Sequence, residues 1–259
     1  MSNLQISTKI FIPTSGRPTK QKTAQRLADA GITFTLVTNK GESKLVKAEY
    51  GWTNVVEYPH KNIKEIRQYV LDMVPKGKLV MLDDDLEIYA RQPDNKWPKA
   101  TNTELRRLFS TVGTMLDTYA HGGVCDKFMS QHRPTTYQRN QRYYHIDAFN
   151  TALFPNPKPR YRCEGSEDMD MNLQLLKLGR PNFLLTQWAH ADKAWAEGGC
   201  SVWRTPTSSE LIQRKLAALH PDVIKLVQPK RDMKSHGNPS FSMRINWRKA
   251  AEIGGAKTQ

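Results

Sequence analysis

The first ninety residues alternate between short apolar runs and segments whose apolar positions lie three or four residues apart. Apolar runs of strand length predict β-strands at residues 6–12, 33–38, 54–58 and 78–82. Helical spacing predicts α-helices at 19–30, where Thr19 is the expected cap and Gly31 the stop, and at 44–50 and 62–74. This β-α-β-α-β-α-β order predicts a parallel sheet with right-handed crossovers.

The pattern is less regular in the second half of the chain. Helices are predicted at 103–119, 166–178 and 209–219, strands at 124–131, 182–189 and 223–227, and a strand or short helix at 146–154. The whole pattern predicts an α/β fold with a mostly parallel central sheet flanked by helices in residues 1–197. A basic C-terminal extension, 198–259, is expected to pack on the same domain.

Charge and composition narrow the expected partners. Lysine and arginine number 39 against 25 acidic residues, which gives a net charge of +14 and a pI near 9.7. This excess favours a polyanion such as nucleic acid, although a basic surface on a soluble protein is the alternative. There is no run of about 18 apolar residues and no secretion signal, so no membrane partner is expected. Three scattered cysteines favour a reducing cytoplasm over a disulfide framework.

Three consecutive aspartates, Asp83, Asp84 and Asp85, follow the apolar run 78–82 directly. Clustered carboxylates at a strand end are explained either by a hard divalent cation or by simple solvation at a surface loop or helix start. Apolar residues return at once after the triplet, which favours the cation. Ligands of parallel α/β sheets sit beyond the carboxyl ends of the strands, so the polar loops after three predicted strands should meet in one crevice.

A second acidic cluster, EGSEDMD, covers residues 164–170 at the start of a predicted helix. Ser166 is a suitable N-cap and acidic residues suit the positive helix end, so capping alone could account for Glu167. The functional interpretation makes one of these carboxylates a general base that activates a hydroxyl. His190 follows the strand predicted at 182–189, either as a structural histidine or as a further metal ligand.

The ordered set of PTSGRP at 13–18, LDDD at 82–85, SED at 166–168 and His190 resembles a GT-A glycosyltransferase over about residues 6–192. More narrowly, IPTSGRPTKQKT with LDDD and SEDMDMNLQLLKLG resembles phage-encoded glycosyltransferases associated with TET-like base oxygenases. That resemblance implies a UDP-sugar donor, Mn²⁺ or Mg²⁺, and double-stranded phage DNA carrying 5-hydroxymethylcytosine or 5-hydroxymethyluracil as acceptor. A GT-A enzyme with a carbohydrate, lipid or protein acceptor is the alternative.

The resemblance also implies roles for donor-binding residues at matching positions. Pro13, Thr14 and Arg17 correspond to the first nucleotide-binding loop, and Thr38 and Asn39 would lie near the nucleobase. A further set would meet the ribose, sugar or diphosphate: Asp83, Asp84 as an assisting carboxylate, and Arg67. For Arg67 an ordinary solvated position on its helix is the equal alternative.

The remaining implied roles concern the metal and the chemistry. Asp85 and His190 correspond to the metal ligands. Asp168 corresponds to the catalytic base of inverting enzymes, and Glu167 is its close competitor. Trp188 and Trp195 could flank the sugar or a base, with packing as the more common role of such tryptophans. For DNA contact, the arginine- and tyrosine-rich segment 133–145 and the basic tail 229–249 offer cations and aromatic rings.

Overall fold

The computed structural model describes residues 7–130, 136–192, 205–228 and 242–255. Its first half follows the predicted alternation of strands and helices. The strands are β1 (Lys9–Pro13), β2 (Thr35–Thr38), β3 (Val55–Glu57) and β4 (Lys78–Leu82). The helices are α1 (Lys22–Asp29), α2 (Glu42–Tyr50) and α3 (Ile63–Met73).

The second half supplies the rest of the sheet and a C-terminal subassembly. The elements that complete the main body are β5 (Glu87–Ala90), α4 (Asn102–Thr118), β6 (His121–Asp126), α5 (Lys127–Ser130), β7 (Tyr137–Arg139), β8 (Ile146–Asn150), α6 (Glu167–Lys177) and β9 (Asn182–Ala191). The C-terminal elements are α7 (Pro206–Leu219), β10 (Ile224–Val227), β11 (Ser242–Ile245) and α8 (Trp247–Ile253).

One nine-stranded sheet carries the fold, in the order β3-β2-β1-β4-β8-β6-β9-β5, with β7 also paired to β9. Strands β1–β4, β6 and β9 run in one direction, and β5, β7 and β8 run against them. The predicted mostly parallel α/β sheet is therefore confirmed. The carboxyl ends of β1, β2, β4 and β6 all reach the same edge, which is where a ligand crevice is expected.

Strand alternation places helices on both faces of this sheet. In β1, Ile10 and Ile12 belong to the apolar cluster that includes α1 and α4, whereas Phe11 belongs to the cluster of α3 and α6. The two faces therefore have separate cores, and the sheet edge between them remains available to polar residues.

Several local predictions were wrong in their boundaries or caps. Thr19 does not cap α1, which begins at Lys22 without a side-chain cap. The strand predicted at 124–131 is β6, which ends at Asp126 and gives way to the short helix α5. The segment 146–154 is a strand followed by a 3₁₀ turn at Thr151–Leu153, so both alternatives occur in it. Strand β5 was not predicted, because four residues carry too little periodicity to be recognised.

The C-terminal elements pack on the outer side of α6. Leu173 and Leu176 of that helix share an apolar cluster with α7, β10 and α8. At the end of α8, a Cβ built on Gly254 would lie 2.1 Å from the Leu176 carbonyl oxygen, so only glycine permits this approach. None of the described helices is long and apolar enough to span a membrane.

Candidate active site

The first strand loop and the acidic triplet lie side by side at the sheet edge. Thr14, immediately after β1, donates its backbone N–H to the Val37 carbonyl of β2 at 2.9 Å. Its hydroxyl donates to Asp84 Oδ2 at 2.5 Å. Pro13 ends β1 itself. The sheet edge at which the strand order predicts a crevice therefore carries the predicted donor loop and the predicted acidic residues together.

Arg17 neutralises the second and third aspartates of the triplet. Its Nη2 lies 2.9 Å from Asp84 Oδ1 and its Nη1 lies 2.9 Å from Asp85 Oδ2. Asp84 is buried, and burial raises its pKa to about 7 against the opposing effects of Arg17 and the Thr14 hydroxyl. Asp85 keeps 23% of its side chain exposed and faces the crevice more openly.

Arg67 neutralises the first aspartate and links it to two distant carboxylates. Its Nη2 donates to Asp83 Oδ1 at 2.7 Å, its Nη1 donates to Asp147 Oδ2, and its Nε lies 3.3 Å from Glu167 Oε1. The arginine side chain is only 4% exposed. The alternative of a solvated helix arginine was therefore wrong, because α3, β8, α6 and the residue after β4 all meet at this guanidinium.

Two arginines thus compensate the repulsion within the triplet. Asp83 pairs with Arg67, and Asp84 and Asp85 pair with Arg17. The sequence analysis favoured a divalent cation for this compensation. In the structure the two guanidinium groups compensate the charge of all three carboxylates.

The start of α6 brings Glu167 and Asp168 to the same region. Burial raises the pKa of Glu167 to about 7, with Arg67 opposing the shift. Asp168 is 9% exposed, and its Oδ1 accepts the Met169 backbone N–H at 2.7 Å. Among the described residues Asp168 forms no ion pair. Ser166 stands at the N-cap with a positive φ of 56°, yet its side chain makes no capping hydrogen bond.

His190 lies within β9 and is fully buried. Neither ring nitrogen makes a hydrogen bond of good geometry within the described residues, although the Val124 backbone interacts with the ring. Burial, reinforced by the neighbouring His145, lowers its pKa to about 3, so the imidazole is neutral and its lone pair is available. The rings of His145 and His190 are 5.3 Å apart, and His145 Nε2 lies 3.9 Å from Asp83 Oδ2.

The side chains of the protein could supply only part of the ligand set that a divalent cation needs. The neutral imidazole of His190 and the partly exposed carboxylate of Asp85 are suitable ligands for Mn²⁺. Mg²⁺ favours carboxylate and phosphate oxygens. The residues that the structure describes contain no group of three histidine, cysteine, aspartate or glutamate side chains arranged to hold a metal. The remaining ligands would have to come from the donor diphosphate and water.

The other predicted residues have different environments. Thr38 is buried at the end of β2, and its hydroxyl has no hydrogen-bond partner in the described chain. Asn39 donates its side-chain amide to the His60 carbonyl at 3.3 Å. Trp188 is buried and donates to Glu104 Oε2 at 3.0 Å, as expected of a packing residue. Trp195 lies outside the described residues.

Sequence reasoning missed two site residues, Asp147 and His145. Asp147 is fully buried in β8, where its neighbours are apolar, and Oδ1 has no partner among the described residues. The sequence feature that could have indicated Asp147 was a single carboxylate within the apolar residues of a buried strand. His145 has the positive φ of 63° that few non-glycine residues adopt, which no sequence pattern indicated. Asp170, in contrast, is structural, since it pairs with His220 at 2.9 Å and Arg162 at 2.5 Å.

One family model and several solved structures are similar to this chain. The family model of the TET-associated glycosyltransferases matches residues 8–199, which is more than half of the chain. No curated protein matches. Two similar solved structures are a Bacillus anthracis protein assigned as a glucose-1-phosphate thymidylyltransferase, solved with sucrose, and the glycosyltransferase GlyE of Streptococcus pneumoniae TIGR4.

The two structural similarities differ in extent. The first has 11% identity, a TM-score of 0.46, and covers 83% of this chain and 96% of the other. The second has 11% identity, a TM-score of 0.33, and covers 57% of this chain and 35% of the other.

Proposed function

Because the chain belongs to the TET-associated glycosyltransferase family, and is a glycosyltransferase, we propose that it glycosylates DNA. The donor is a UDP-sugar, and the acceptor is the hydroxymethyl group of 5-hydroxymethylcytosine or 5-hydroxymethyluracil. The reaction depends on Mn²⁺ or Mg²⁺ and inverts the anomeric centre. The enzyme acts in the host cytoplasm, where phage DNA is available.

One observation carries this proposal. Arg67 joins Asp83, at the end of β4, to Glu167, at the start of α6, although 84 positions separate them in sequence. The two acidic clusters therefore line one crevice at the edge where parallel strands present ligands. A glycosyl transfer needs such a pairing: one set of groups for the nucleotide sugar and a carboxylate beside it for the acceptor hydroxyl.

The donor side of the crevice is formed by the loops after β1, β2 and β4. Pro13 and Thr14 form the floor of the nucleotide site, and Thr38 offers a hydroxyl with no partner in the described chain. Asn39 stands beside it at the position for the nucleobase. Asp83, which is 29% exposed, accepts a hydrogen bond from the ribose or sugar, and the buried Asp84 assists by holding Thr14 and Arg17 in the donor loop.

Asp85 and His190 would hold the divalent cation. Bound there, the ion would supply positive charge to the diphosphate leaving group. His190 suits this role because its ring is neutral and buried, and the Val124 backbone can engage only one ring nitrogen, which leaves the other as a possible ligand. Arg17 screens Asp84 and Asp85 from each other before the ion arrives.

Asp168 is the base of the reaction. It takes the proton of the acceptor hydroxyl as that oxygen forms a bond to the anomeric carbon, while the bond from this carbon to the diphosphate oxygen breaks and UDP leaves. Asp168 is preferred over Glu167 because Glu167 is already paired with Arg67, whereas Asp168 forms no ion pair among the described residues. A carboxylate opposite the leaving group gives inverted stereochemistry.

Mass spectrometry of nucleosides tests the proposal directly. The protein is incubated with hydroxymethylcytosine DNA, hydroxymethyluracil DNA and unmodified DNA, each with a panel of UDP-sugars and Mn²⁺ or Mg²⁺. A sugar-sized mass gain on one hydroxymethylated base alone is expected. Hydrolysis of a UDP-sugar without any gain on DNA would contradict the acceptor and favour a carbohydrate, lipid or protein in its place.

A further inference from the structure

Phe128 is an exposed aromatic residue directly beside the crevice. Its side chain is 83% exposed, more than any other large apolar residue in the described part of the chain. An exposed aromatic ring beside a polar site can stack on a ligand that approaches that site. Met129, the next residue, is 43% exposed, so the two form a small apolar projection.

The position of Phe128 is tied to the site by Asp126. This aspartate ends β6 and lies opposite His190 in the strand pairing. Its Oδ1 accepts the Phe128 backbone N–H at 2.7 Å, which fixes the start of α5 relative to β6. The side chain of Asp126 also bonds with Tyr144, whose ring packs edge-on against His190. Phe128 therefore lies next to the part of the sheet edge that holds His190, and one hydrogen bond links its backbone to that edge.

The distance of Phe128 from the acidic triplet and the positive charge of its neighbour Lys127 both suit a nucleic-acid acceptor. Only β8 separates β4 from β6, which ends two residues before Phe128, so the end of β6 lies about 10 Å, two strand spacings, from the strand end that carries the acidic triplet. Lys127 places its ammonium 3.5 Å from the centroid of the Tyr89 ring and keeps a positive charge next to Phe128. An aromatic face with an adjacent cation, on a chain of charge +14, matches single-stranded nucleic acid.

We propose that Phe128 stacks on a nucleobase of the DNA acceptor, one that is unpaired or turned out of the duplex, and holds the strand beside the catalytic carboxylates. This inference rests on the proposed function and assigns its acceptor subsite. Aromatic stacking is tolerant of base identity, because every base has a π-face. Phe128 therefore contributes affinity for the DNA strand, while the site itself distinguishes the hydroxymethylated base.

The test compares Phe128→Ala with Phe128→Trp and with Leu211→Ala. Leu211 is a matched control because it is 63% exposed but lies on α7, away from the sheet edge. Two quantities are measured: the Kd for a hydroxymethylated single-stranded oligonucleotide by fluorescence anisotropy, and the KM for DNA and for the UDP-sugar. The unfolding temperature of each variant checks that the fold is intact.

Phe128→Ala is expected to raise the Kd and the KM for DNA roughly ten- to hundredfold, the loss expected of one stacked base. The KM for the UDP-sugar should keep its wild-type value, and Phe128→Trp should restore DNA binding. Equal values for Phe128→Ala and Leu211→Ala would overturn the inference, and so would a wild-type protein that does not bind DNA. If wild type binds DNA but transfers no sugar to it, the proposed function fails, whereas the binding comparison still decides the role of Phe128.

Discussion

Replacing Arg67 by methionine removes the cation that three carboxylates share. Methionine keeps much of the volume of the aliphatic stem, so the change is mainly one of charge. Asp83, Asp147 and Glu167 have side-chain exposures of 29%, 1% and 9%, so water cannot replace the guanidinium at two of them. The folded state must then either bear unpaired buried charge or take up protons.

The expected loss of stability follows from this burial. Breaking a buried ion pair by removing one partner costs about 3–5 kcal/mol, because it leaves an uncompensated charge. In a domain of this size each kcal/mol lowers the unfolding temperature by about 2–4 °C, so the variant should unfold on the order of 10 °C below wild type. Arg160→Met is the control: Arg160 is 63% exposed and 3.5 Å from Asp72, and its loss should cost less than about 1 kcal/mol.

The pH dependence of this loss has a definite sign. Glu167 in the folded chain has a pKa raised to about 7, above the ordinary value of 4.5. A carboxyl with a raised folded pKa stabilises the fold below the unfolded pKa, and that contribution disappears as pH rises through the folded pKa. Without Arg67 the pKa values of Glu167 and Asp147 should rise further, so the variant should lose more stability at pH 8 than at pH 5.

A second substitution separates charge from packing. Adding Asp147→Asn to Arg67→Met removes one of the unpaired carboxylates, so the double variant should unfold at a higher temperature than Arg67→Met alone. Thermal unfolding of the four proteins by circular dichroism measures this difference. The reasoning is refuted if Arg67→Met unfolds within 2 °C of Arg160→Met, or if Asp147→Asn lowers the stability of the Arg67→Met chain further.

Three further outcomes are expected. Asp168→Asn should reduce transfer by at least about a hundredfold while calorimetry still detects donor binding; retained turnover would move the base to Glu167. Asp85→Ala should weaken Mn²⁺ binding measured by calorimetry, and unchanged affinity would remove Asp85 from the proposed metal site. Gly254→Ala places a Cβ against the Leu176 carbonyl, so limited proteolysis should cut the C-terminal segment faster than in wild type, and an unchanged rate would show that the backbone adjusts without loss of docking.

The parallel half of the fold could be predicted from the sequence because the patterns that indicate its strands and helices are local. The apolar run 78–82 became β4 with the same bounds, and Asn62 caps α3 by accepting the Glu65 N–H at 3.1 Å. Local patterns report which segments form strands and helices, and the parallel order follows from their alternation. The convergence of Thr14 with the acidic triplet was predictable for the same reason.

The partners of the charged residues were not predictable in this way. Arg67 lies on the apolar stripe of α3 with Ile66 and Val70, which was a signal of burial, but its three partners come from segments 16, 80 and 100 positions away. Asp147 reaches it only because β8 pairs antiparallel with β4, a non-local choice that no local spacing encodes. Parts of the predicted DNA-contacting segments, at 133–135 and 229–241, lie outside the described residues.

The docking of the C-terminal elements on α6 also sets an order of events during synthesis. The ribosome makes Glu167 and Asp168 before it makes α7 and α8, and at about 5–20 residues per second the interval from Lys177 to Ala251 lasts roughly 4–15 s. During that time the outer face of α6 has not yet met its packing partners. A nascent chain therefore completes the packing around α6 only after α8 has been made, and a chain released before that point exposes an apolar helix face that favours aggregation.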